Sequence, residues 1–256
     1  MTQKASKSRR QGEIVAALAA QPSLRVADLA ATLAVSTETI RRDLDELGAQ
    51  GLINRTYGGA VRPFGPEPAI RERHGLMVPE RERIAVAASG VVNHGDALLI
   101  GSGATTTHVA RRLGATKRDL TVLTHAFGVA TVLAANPTLR VLMTPGRYLG
   151  EEGALVGAET VAYLATHYAR HAILGASGLT AEGPTEADAE AAAVYRAMAG
   201  RAAEVTIVAD HSKFGRAAFG LYAPWRGITR LVTDRPPEGA LAQALSRAGV
   251  TVVVAA

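Results

Sequence analysis

The first fifty residues place apolar side chains at helical intervals. Ile14 and Leu18 stand four residues apart, and Leu29 and Leu33 repeat that interval further along the chain. Apolar positions at i and i+4 share one face of a helix, so the pattern predicts two short amphipathic helices. Between residues 9 and 51, no alternating run is long enough to predict a strand.

A third helix is predicted after a tight two-residue connection. Ser36 precedes it and is a natural N-cap, because its hydroxyl accepts a hydrogen bond from an amide of the next turn. Ile40, Leu44 and Leu47 recur at i, i+4 and i+7 and form the predicted buried stripe. The remaining positions form a basic, hydroxyl-bearing outer face that comprises Thr37, Thr39, Arg41 and Arg42.

The pattern changes twice after this helix. Residues 52–61 are typical of two short strands that turn around adjacent glycines, which together form a compact wing. Residues 62–79 are then rich in proline and glycine, which favours a linker over the interior of an element. The predicted domains are residues 1–61 and 80–256, joined by a linker at 62–79.

From residue 80 onward, short apolar runs alternate with amphipathic stretches, such as the one that carries Val109 and Leu113. The runs are Ala97 to Ile100, Leu120 to Thr124, Arg140 to Thr144, Ala172 to Leu174, Glu204 to Ala209, Thr229 to Val232 and Val250 to Val254. Continuous apolar strands separated by helices predict a mostly parallel sheet covered on both faces, which is a doubly wound α/β domain.

Composition narrows the class of protein. The 256 residues are 48% hydrophobic, which suffices for a full core. Neither a membrane-spanning apolar run nor a signal-peptide pattern is present, so we expect a soluble, unexported protein without a membrane partner. The absence of cysteine excludes disulfides and thiolate sites and fits the cytoplasm. We expect no cofactor and no bound metal.

The charge balance leaves the partner open. The formal net charge is +5, and excess Lys and Arg favour polyanions because neutralised phosphates release condensed counterions. Lys4, Lys7, Arg9 and Arg10 crowd the N-terminal end. A solvated basic tail would have the same composition, so this cluster does not by itself predict nucleic-acid binding.

The third helix has the dimensions to enter a major groove, although a surface helix with solvated arginines is the other interpretation. The wider sequence pattern favours the interpretation as a helix that enters the major groove. Its segments are Val35-Ser36-Thr37-Glu38-Thr39-Ile40-Arg41-Arg42-Asp43-Leu44 and Arg55-Thr56-Tyr57-Gly58-Gly59-Ala60. Together they closely resemble the winged helix-turn-helix of the DeoR family of bacterial transcription regulators.

This resemblance implies a set of DNA contacts. We expect base or phosphate contacts from Ser36, Thr37, Thr39, Arg41 and Arg42, and wing contacts to the backbone from Arg55 and Tyr57. A homo-oligomer, either a dimer or a tetramer, is also expected, because one helix-turn-helix reads only a half-site and two-fold operators need two-fold proteins.

A glycine- and hydroxyl-rich run follows the first strand of the second domain. It reads Gly101-Ser102-Gly103-Ala104-Thr105-Thr106-Thr107 and leads into a helix. Glycines let backbone amides approach an anion, and the helix N-terminus adds partial positive charge, so the run suits a phosphate. It lacks the lysine of a Walker loop and the third glycine of a dinucleotide fingerprint. A tight connection without a ligand is the alternative.

Further polar runs follow other predicted strands, at the rim where open α/β sheets bind ligands. These runs are Thr124-His125-Ala126, Gly175-Ala176-Ser177-Gly178 and Asp210-His211-Ser212-Lys213-Phe214-Gly215. Lys213 is a candidate for a point charge on a phosphate. Arg147, Glu151 and Glu152 are candidates for binding sugar hydroxyls, with ordinary surface charge as the alternative.

The second domain also resembles the DeoR family, from about Arg81 to Ala256, and is therefore expected to be similar to ribose-phosphate isomerase-like folds. The resemblance implies a site for a phosphorylated sugar that acts as an effector. The expected effector contacts are Gly101, Ser102, Gly103, Ala104, Thr105, Thr106, His125, Arg147, Glu152, Gly175, Ser177, Gly178, Asp210 and Lys213. Family members often carry Asp in place of Gly101, Asn in place of His125 and a Gly-Gly in place of Pro145-Gly146. We therefore expect a different hydroxyl pattern in the ligand.

The expected function is a sequence-specific transcription regulator, a repressor of a sugar-catabolic operon whose affinity for double-stranded operator DNA changes when the phosphosugar binds. The alternative is a phosphosugar isomerase or deaminase fused to a DNA-binding domain, with His125, Glu186, Asp210 and His211 as candidate bases. These residues form no recognisable spacing, so we expect no enzyme activity. A nucleotide-binding module is disfavoured, because the next strand ends in Thr124-His125 where an acidic residue would hold the ribose.

Overall fold

The structure is a computed structural model that describes residues 7–20, 23–49, 53–56, 58–61 and 68–256. The chain forms two compact units, one of Met1–Pro66 with Gly215–Ala217 and the other of Glu67–Phe214 with Ala218–Ala256. Across the described residues, no helix combines the length and apolar character that a bilayer crossing requires.

Helices and a small antiparallel sheet build the described part of the first unit. In chain order they are α1 (Lys7–Ala20), β1 (Ser23–Arg25), α2 (Val26–Thr32), α3 (Thr37–Ala49), β2 (Asn54–Thr56) and β3 (Gly59–Val61). The predicted helices are confirmed, and their apolar stripes meet in one core. The core residues exposed by no more than 2% include Ile14, Leu18, Leu29, Ile40, Leu44 and Leu47.

The sequence-based expectation of no strand before residue 51 is wrong. β1 adds to the wing as its third strand, in the order β1-β3-β2, and Leu24 lies opposite Ala60. A three-residue strand is too short to show a period of two, so the alternation rule does not detect it. Gly59 makes the pairing possible, because a Cβ there would lie 2.0 Å from the Leu24 carbonyl oxygen.

The second unit alternates strands and helices through most of its length. Its helices are α4 (Ile70–Arg73), α5 (Val78–Ser89), α6 (Ala104–Thr116), α7 (Phe127–Ala134), α8 (Ala158–Leu164), α9 (Ala189–Ala199) and α10 (Gly239–Arg247), with short 3-10 helices at His211–Lys213 and Trp225–Gly227. Its strands are β4 (Ala97–Ile100), β5 (Thr121–Thr124), β6 (Arg140–Met143), β7 (Arg147–Leu149), β8 (Ala154–Val156), β9 (Ala169–Leu174), β10 (Gly178–Leu179), β11 (Pro184–Glu186), β12 (Ala202–Val208), β13 (Gly220–Leu221), β14 (Arg230–Thr233) and β15 (Thr251–Val254).

A seven-stranded sheet forms the centre of this unit, in the order β15-β14-β12-β9-β4-β5-β6. All neighbouring strands in it are parallel, which confirms the predicted doubly wound fold. Leu98 and Ile100 pack on the face that carries α5, α6 and α7, whereas Leu99 packs on the opposite face. Both faces are therefore covered, and the carboxyl ends of the strands remain as a rim for a ligand.

The second half of the predicted linker is helical rather than irregular. Residues 70–73 form α4, and α5 begins at Val78 with Pro79 in its first turn. Proline is tolerated there because the first amides of a helix have no intrahelical acceptor. The division at residues 61 and 80 stays a prediction.

Candidate functional site

The third helix separates an apolar inner face from a polar outer face. Ser36, Thr37, Arg41 and Arg42 are exposed and Thr39 is half-buried. The side chains of the two arginines are 58% and 77% exposed. The predicted contacts of this helix therefore all lie outside its buried stripe, where a nucleic acid can reach them.

Ser36 caps α3, as predicted. The backbone N–H of Thr39 donates to the Ser36 Oγ over 3.2 Å, and the two side-chain hydroxyl oxygens lie 2.9 Å apart. This cap satisfies one of the amides that begin the helix. It also holds both hydroxyls at the end of α3 that carries partial positive charge, where a phosphate is favoured.

A buried ion pair joins α1 to α3. The Arg10 Nε lies 2.5 Å from the Asp43 Oδ2, and the Arg10 Nη2 lies 3.1 Å from the Asp43 Oδ1. Asp43 is 2% exposed, and its hydrogen bond raises the pKa of Arg10. Asp43 directly follows Arg41 and Arg42 in the chain. The ion pair therefore fixes the rotation of α3 that directs both arginines outward.

The basic cluster near the N-terminus is not a solvated tail where the structure describes it. Lys7, Arg9 and Arg10 belong to α1. The Lys7 Nζ lies 2.7 Å from a carboxylate oxygen of Glu46 on α3, so this lysine also ties the two helices together. Lys4 lies outside the described residues.

The two predicted wing contacts stay predictions. Arg55 lies in β2, where the structure describes its backbone position but not its side chain. Tyr57 lies outside the described residues.

In the second unit, the loop after β4 folds back on the start of α6. Gly103 has a φ of +128°, a region that is open to glycine and closed to most other residues. The hydroxyls of Thr106 and Thr107 both donate to the Gly103 carbonyl, over 2.9 and 2.8 Å. Their hydrogens are thus engaged within the loop. The amides of the first turn of α6, which have no acceptor within the helix, are the donors suited to an anion.

The buried side chain of His125 holds this loop through a hydrogen bond to its backbone. Its Nε2 accepts a hydrogen bond from the Ser102 backbone N–H over 3.1 Å, and its Nδ1 lies 2.8 Å from the Leu155 carbonyl oxygen. A carbonyl can only accept, so the neutral tautomer carries its hydrogen on Nδ1. Burial lowers the pKa of His125 to about 4. The ring is therefore neutral, and both of its nitrogens hold protein backbone.

Tyr195, on α9, supports the same loop from the opposite side. Its hydroxyl donates to the Ser102 carbonyl over 2.6 Å and lies 3.0 Å from the Ser102 Oγ. A Cβ on Gly101 would lie 2.8 Å from the tyrosine ring. The ring also meets the His125 ring edge to face, with centroids 5.8 Å apart. Gly101 and His125, which both depart from the family pattern, therefore flank one aromatic side chain.

Cationic side chains reach the other side of the loop. Arg73, at the end of α4, is 7% exposed, and its Nη2 lies 2.5 Å from the Glu152 Oε2. Arg81, on α5, is 3% exposed, and its Nε lies 3.4 Å from the Asp210 Oδ2. Lys213 joins them from the 3-10 turn after β12. The site thus concentrates positive charge opposite the N-terminus of α6.

Glu186 is the acidic group on the cavity wall. The Ser177 hydroxyl and the Ala187 backbone N–H each donate to its Oε1 over 2.8 Å. Burial raises the pKa of Glu186 to about 7, and the nearby charge of Glu152 adds to the shift. Near neutral pH, the carboxyl therefore exists in both protonation states, so it either donates to or accepts from a ligand hydroxyl.

These groups enclose a cavity at the carboxyl ends of the central strands, here called the strand-end cavity. It holds about 330 Å³ of empty space, including its open mouth. Its lining consists of Arg73, Arg81, Ser102, Gly103, Ala104, Thr105, Thr106, Gly175, Ala176, Glu186, Tyr195 and Lys213. The mixture of cations and hydroxyls along this lining suits a small phosphorylated polyol.

The sequence-predicted effector residues divide into three groups. Those that line the cavity are Ser102, Gly103, Ala104, Thr105, Thr106, Gly175 and Lys213. Those that hold lining residues in place are Gly101, His125, Glu152, Ser177 and Asp210. Gly178 pairs with Thr185 across β10 and β11. Arg147 is exposed on β7 and pairs with Glu190, away from the lining.

Arg73, Arg81 and Tyr195 were missed as site residues. The sequence does carry a signal for two of them. Arg81 precedes Ile84, Ala85 and Ala88 at i+3, i+4 and i+7, which puts it on the buried stripe of α5. Tyr195 likewise falls on the buried stripe of α9. Arg73 lies in a stretch interpreted as linker, where no periodicity marks it.

Comparisons with known proteins match the N-terminal and C-terminal parts of the chain to two separate domains. A model of the DeoR-like helix-turn-helix domain matches residues 10–63, and a model of the DeoR C terminal sensor domain matches residues 77–235. The HTH-type transcriptional repressor GlcR of Bacillus subtilis is 32% identical over 224 residues, which cover 87% of this chain and 86% of GlcR. The Glycerol-3-phosphate regulon repressor of Escherichia coli is 30% identical over 241 residues, which cover 93% and 95% of the two chains. Ribose 5-phosphate isomerase A of Methanocaldococcus jannaschii gives a TM-score of 0.39 at 15% identity, covering 52% of this chain and 53% of the isomerase.

Proposed function

Because this chain belongs to the DeoR family of transcription regulators, we propose that it represses a sugar-catabolic operon and that a phosphorylated sugar in the strand-end cavity changes its affinity for the operator. One observation carries the proposal. A single chain joins a helix whose arginines face solvent to a cavity where Arg73, Arg81 and Lys213 face a helix N-terminus.

On the DNA side, α3 is the reading helix. Its hydroxyls at Ser36, Thr37 and Thr39 lie at its N-terminal end, and Arg41 and Arg42 extend from its exposed face. Arginine binds guanine O6 and N7 with two hydrogen bonds or pairs with phosphate, so both chemistries of recognition are available. The wing residues Arg55 and Tyr57 complete the proposed set.

Operator titration at several salt concentrations tests this assignment. Arg41→Ala and Arg42→Ala should each weaken binding by about 1–3 kcal/mol, with relaxed sequence preference where the residue reads a base and a shallower salt slope where it contacts phosphate. Arg112→Ala, at an exposed position of α6, is the control with the same change of charge. Unchanged affinity in both α3 variants would contradict the proposal.

On the effector side, the cavity favours a phosphate dianion with a polyol attached. The amides of α6 and the three cations suit the phosphate, whereas Glu186 and Ser102 suit hydroxyls. A ligand shifts the protein between two states only by its difference in affinity for them, which typically amounts to 1–3 kcal/mol.

Thermal unfolding with a panel of ligands tests the effector. Each sugar phosphate, and glycerol 3-phosphate in view of the E. coli relative, is compared with its unphosphorylated parent and with inorganic phosphate. A ligand at about 100 times its Kd should stabilise the protein by about 2.7 kcal/mol. A parent sugar that stabilises as much as its phosphate would contradict a phosphate site.

We infer a regulatory rather than a catalytic role for the cavity. Of the four candidate bases, His125 holds backbone with both nitrogens, and His211 binds Asp234 through its Nδ1 over 2.6 Å. Glu186 is the one candidate base in the described cavity lining, and its Oε1 is held by the Ser177 hydroxyl and the Ala187 N–H. Asp210 is fully buried and caps the turn that carries Ser212. Rapid turnover of any stabilising ligand would overturn this inference in favour of an isomerase or deaminase.

The functional form is a homo-oligomer in this proposal. One α3 reads a half-site, so an inverted-repeat operator requires two copies of the first unit. Sedimentation with and without operator DNA distinguishes a dimer from a tetramer, and a monomer on a full operator would contradict the proposal.

A further inference from the structure

Arg73 and Arg81 occupy a particular place in the chain. They belong to α4 and α5, which are the first helices after the division at residues 66 and 67. Both side chains are nevertheless buried and line the strand-end cavity. The segment of the second unit that is nearest in sequence to the DNA-binding unit therefore contributes two of the cavity's cations.

Each arginine is held by a carboxylate. Arg73 pairs with Glu152 over 2.5 Å, and both side chains are about one-tenth exposed. Arg81 pairs with Asp210 over 3.4 Å and also donates to the Arg73 carbonyl. Glu152 comes from the segment between β7 and β8. The Arg73–Glu152 pair therefore joins α4 to the segment between β7 and β8.

A phosphate at the start of α6 would need the same guanidinium. Arginine binds phosphate and carboxylate through the same kind of N–H group, so a phosphate that takes the Arg73 Nη2 competes with Glu152 for it. Glu152 already lies close enough to Glu186 to raise the pKa of that carboxyl. An added dianion would increase this crowding of negative charge, which favours the departure of Glu152 from the site.

We infer that Arg73 and Arg81 are effector-binding residues and that the effector's phosphate competes with Glu152 for Arg73. This inference rests on the proposed function and adds to it a way in which ligand binding changes contacts outside the cavity. The residues around Glu152 hold α4 twice, through Arg73 and through the Ile70 N–H, which donates to the Glu151 carbonyl over 2.8 Å. Loss of the first contact would leave the Ile70–Glu151 hydrogen bond in place, so occupancy would change how α4 is held, and α4 is the helix of the second unit nearest in sequence to the DNA-binding unit.

Two substitutions of opposite expected sign test the inference in the full-length protein. Binding of inorganic phosphate and of the stabilising sugar phosphate is measured by calorimetry. Arg73→Gln should weaken binding by about 10- to 100-fold, because it removes a charged hydrogen-bond donor. Glu152→Gln should strengthen binding by about 3-fold or more, because the competing charge is gone while the side-chain shape is kept. Operator release should then need less effector in Glu152→Gln and more in Arg73→Gln.

Matched controls separate competition from simple damage. Arg112→Gln and Glu159→Gln make the same chemical changes at exposed positions and should leave both affinities unchanged. Weaker binding in both Arg73→Gln and Glu152→Gln would overturn the inference, because a merely structural ion pair or a direct contact of Glu152 with the sugar gives that result. If the wild-type protein bound no phosphate compound, the proposed function would fail and the inference with it. Wild-type binding together with unchanged variants would overturn the inference alone.

Discussion

The two units use arginine in opposite ways. In the first unit, Arg41 and Arg42 extend into solvent with side chains 58% and 77% exposed, and an exposed glutamate, Glu38, lies near both. In the second unit, Arg73 and Arg81 have side chains 9% and 4% exposed, and each is paired with a nearly buried carboxylate. The first pair suits a large, hydrated polyanion, whereas the second suits a small anion that enters a closed site.

This contrast sets the physical character of each interaction. Exposed guanidinium groups bind DNA largely through counterion release, so that interaction weakens steeply with salt. Buried guanidinium groups act in a lower dielectric and are screened much less, but they need an anion present at all times. An internal carboxylate supplies that anion for each of the two arginines, so a phosphate that enters must compete with it.

The largest expected effect concerns the buried ion pair of the first unit, Arg10 with Asp43. Arg10 is buried and paired like the arginines of the second unit, so we expect it to stabilise the fold rather than to bind DNA. Asp43→Ala leaves Arg10 without its buried partner and should lower the free energy of unfolding by about 3–5 kcal/mol. Urea unfolding should show early loss of the first unit and unchanged unfolding of the second. Asp45→Ala, at an exposed position of the same helix, is the control. Equal effects of the two substitutions would show that burial of the pair is unimportant.

The helices around Ile40 and Val109 were predictable from the sequence because each has a periodic apolar face, and the parallel sheet because its strands are continuous apolar runs. Sequence reasoning predicted a glycine-rich loop between β4 and α6 because strand, glycine and helix follow one another in the chain. It missed Arg73, Arg81 and Tyr195, which reach the site from elements distant in sequence. The role of Gly101 also required the structure, because only there does the Tyr195 ring fill the space of a side chain.

Glu186 offers a second, somewhat smaller test, by pH. Burial raises its pKa from 4.5 to about 7 in the folded protein. Between these values the folded state binds more protons than the unfolded chain, so the free energy of unfolding should fall as pH rises from about 4.5 to about 7 and level off above. Glu186→Gln should remove roughly 2–3 kcal/mol of this dependence.

The measurement is urea unfolding at pH 5 and at pH 8, followed on the transition of the second unit. Glu159→Gln, at an exposed position of α8, should keep the wild-type difference between the two pH values. A Glu186→Gln protein that loses as much stability with rising pH as the wild type would show that another group is responsible.

The smallest effect is expected at Glu38, whose carboxylate oxygens lie 3.7 Å from Arg41 and 3.6 Å from Arg42. Exposed pairs of this kind contribute about 0–1 kcal/mol, so Glu38→Gln should barely change the free energy of unfolding. Its negative charge nevertheless lies on the face proposed to meet phosphates. Removing it should strengthen binding to DNA of any sequence about 2- to 5-fold at low salt, and less at high salt.

Glu13→Gln breaks another surface pair, with Arg9 on α1, and should leave DNA affinity unchanged. The informative contrary result would be tighter binding to random DNA together with weaker binding to the operator. A glutamate accepts a hydrogen bond from the N4 amino group of cytosine, and that result would assign Glu38 to base recognition instead. The exposed face of α3 would then read sequence through an acidic residue as well as through its two arginines.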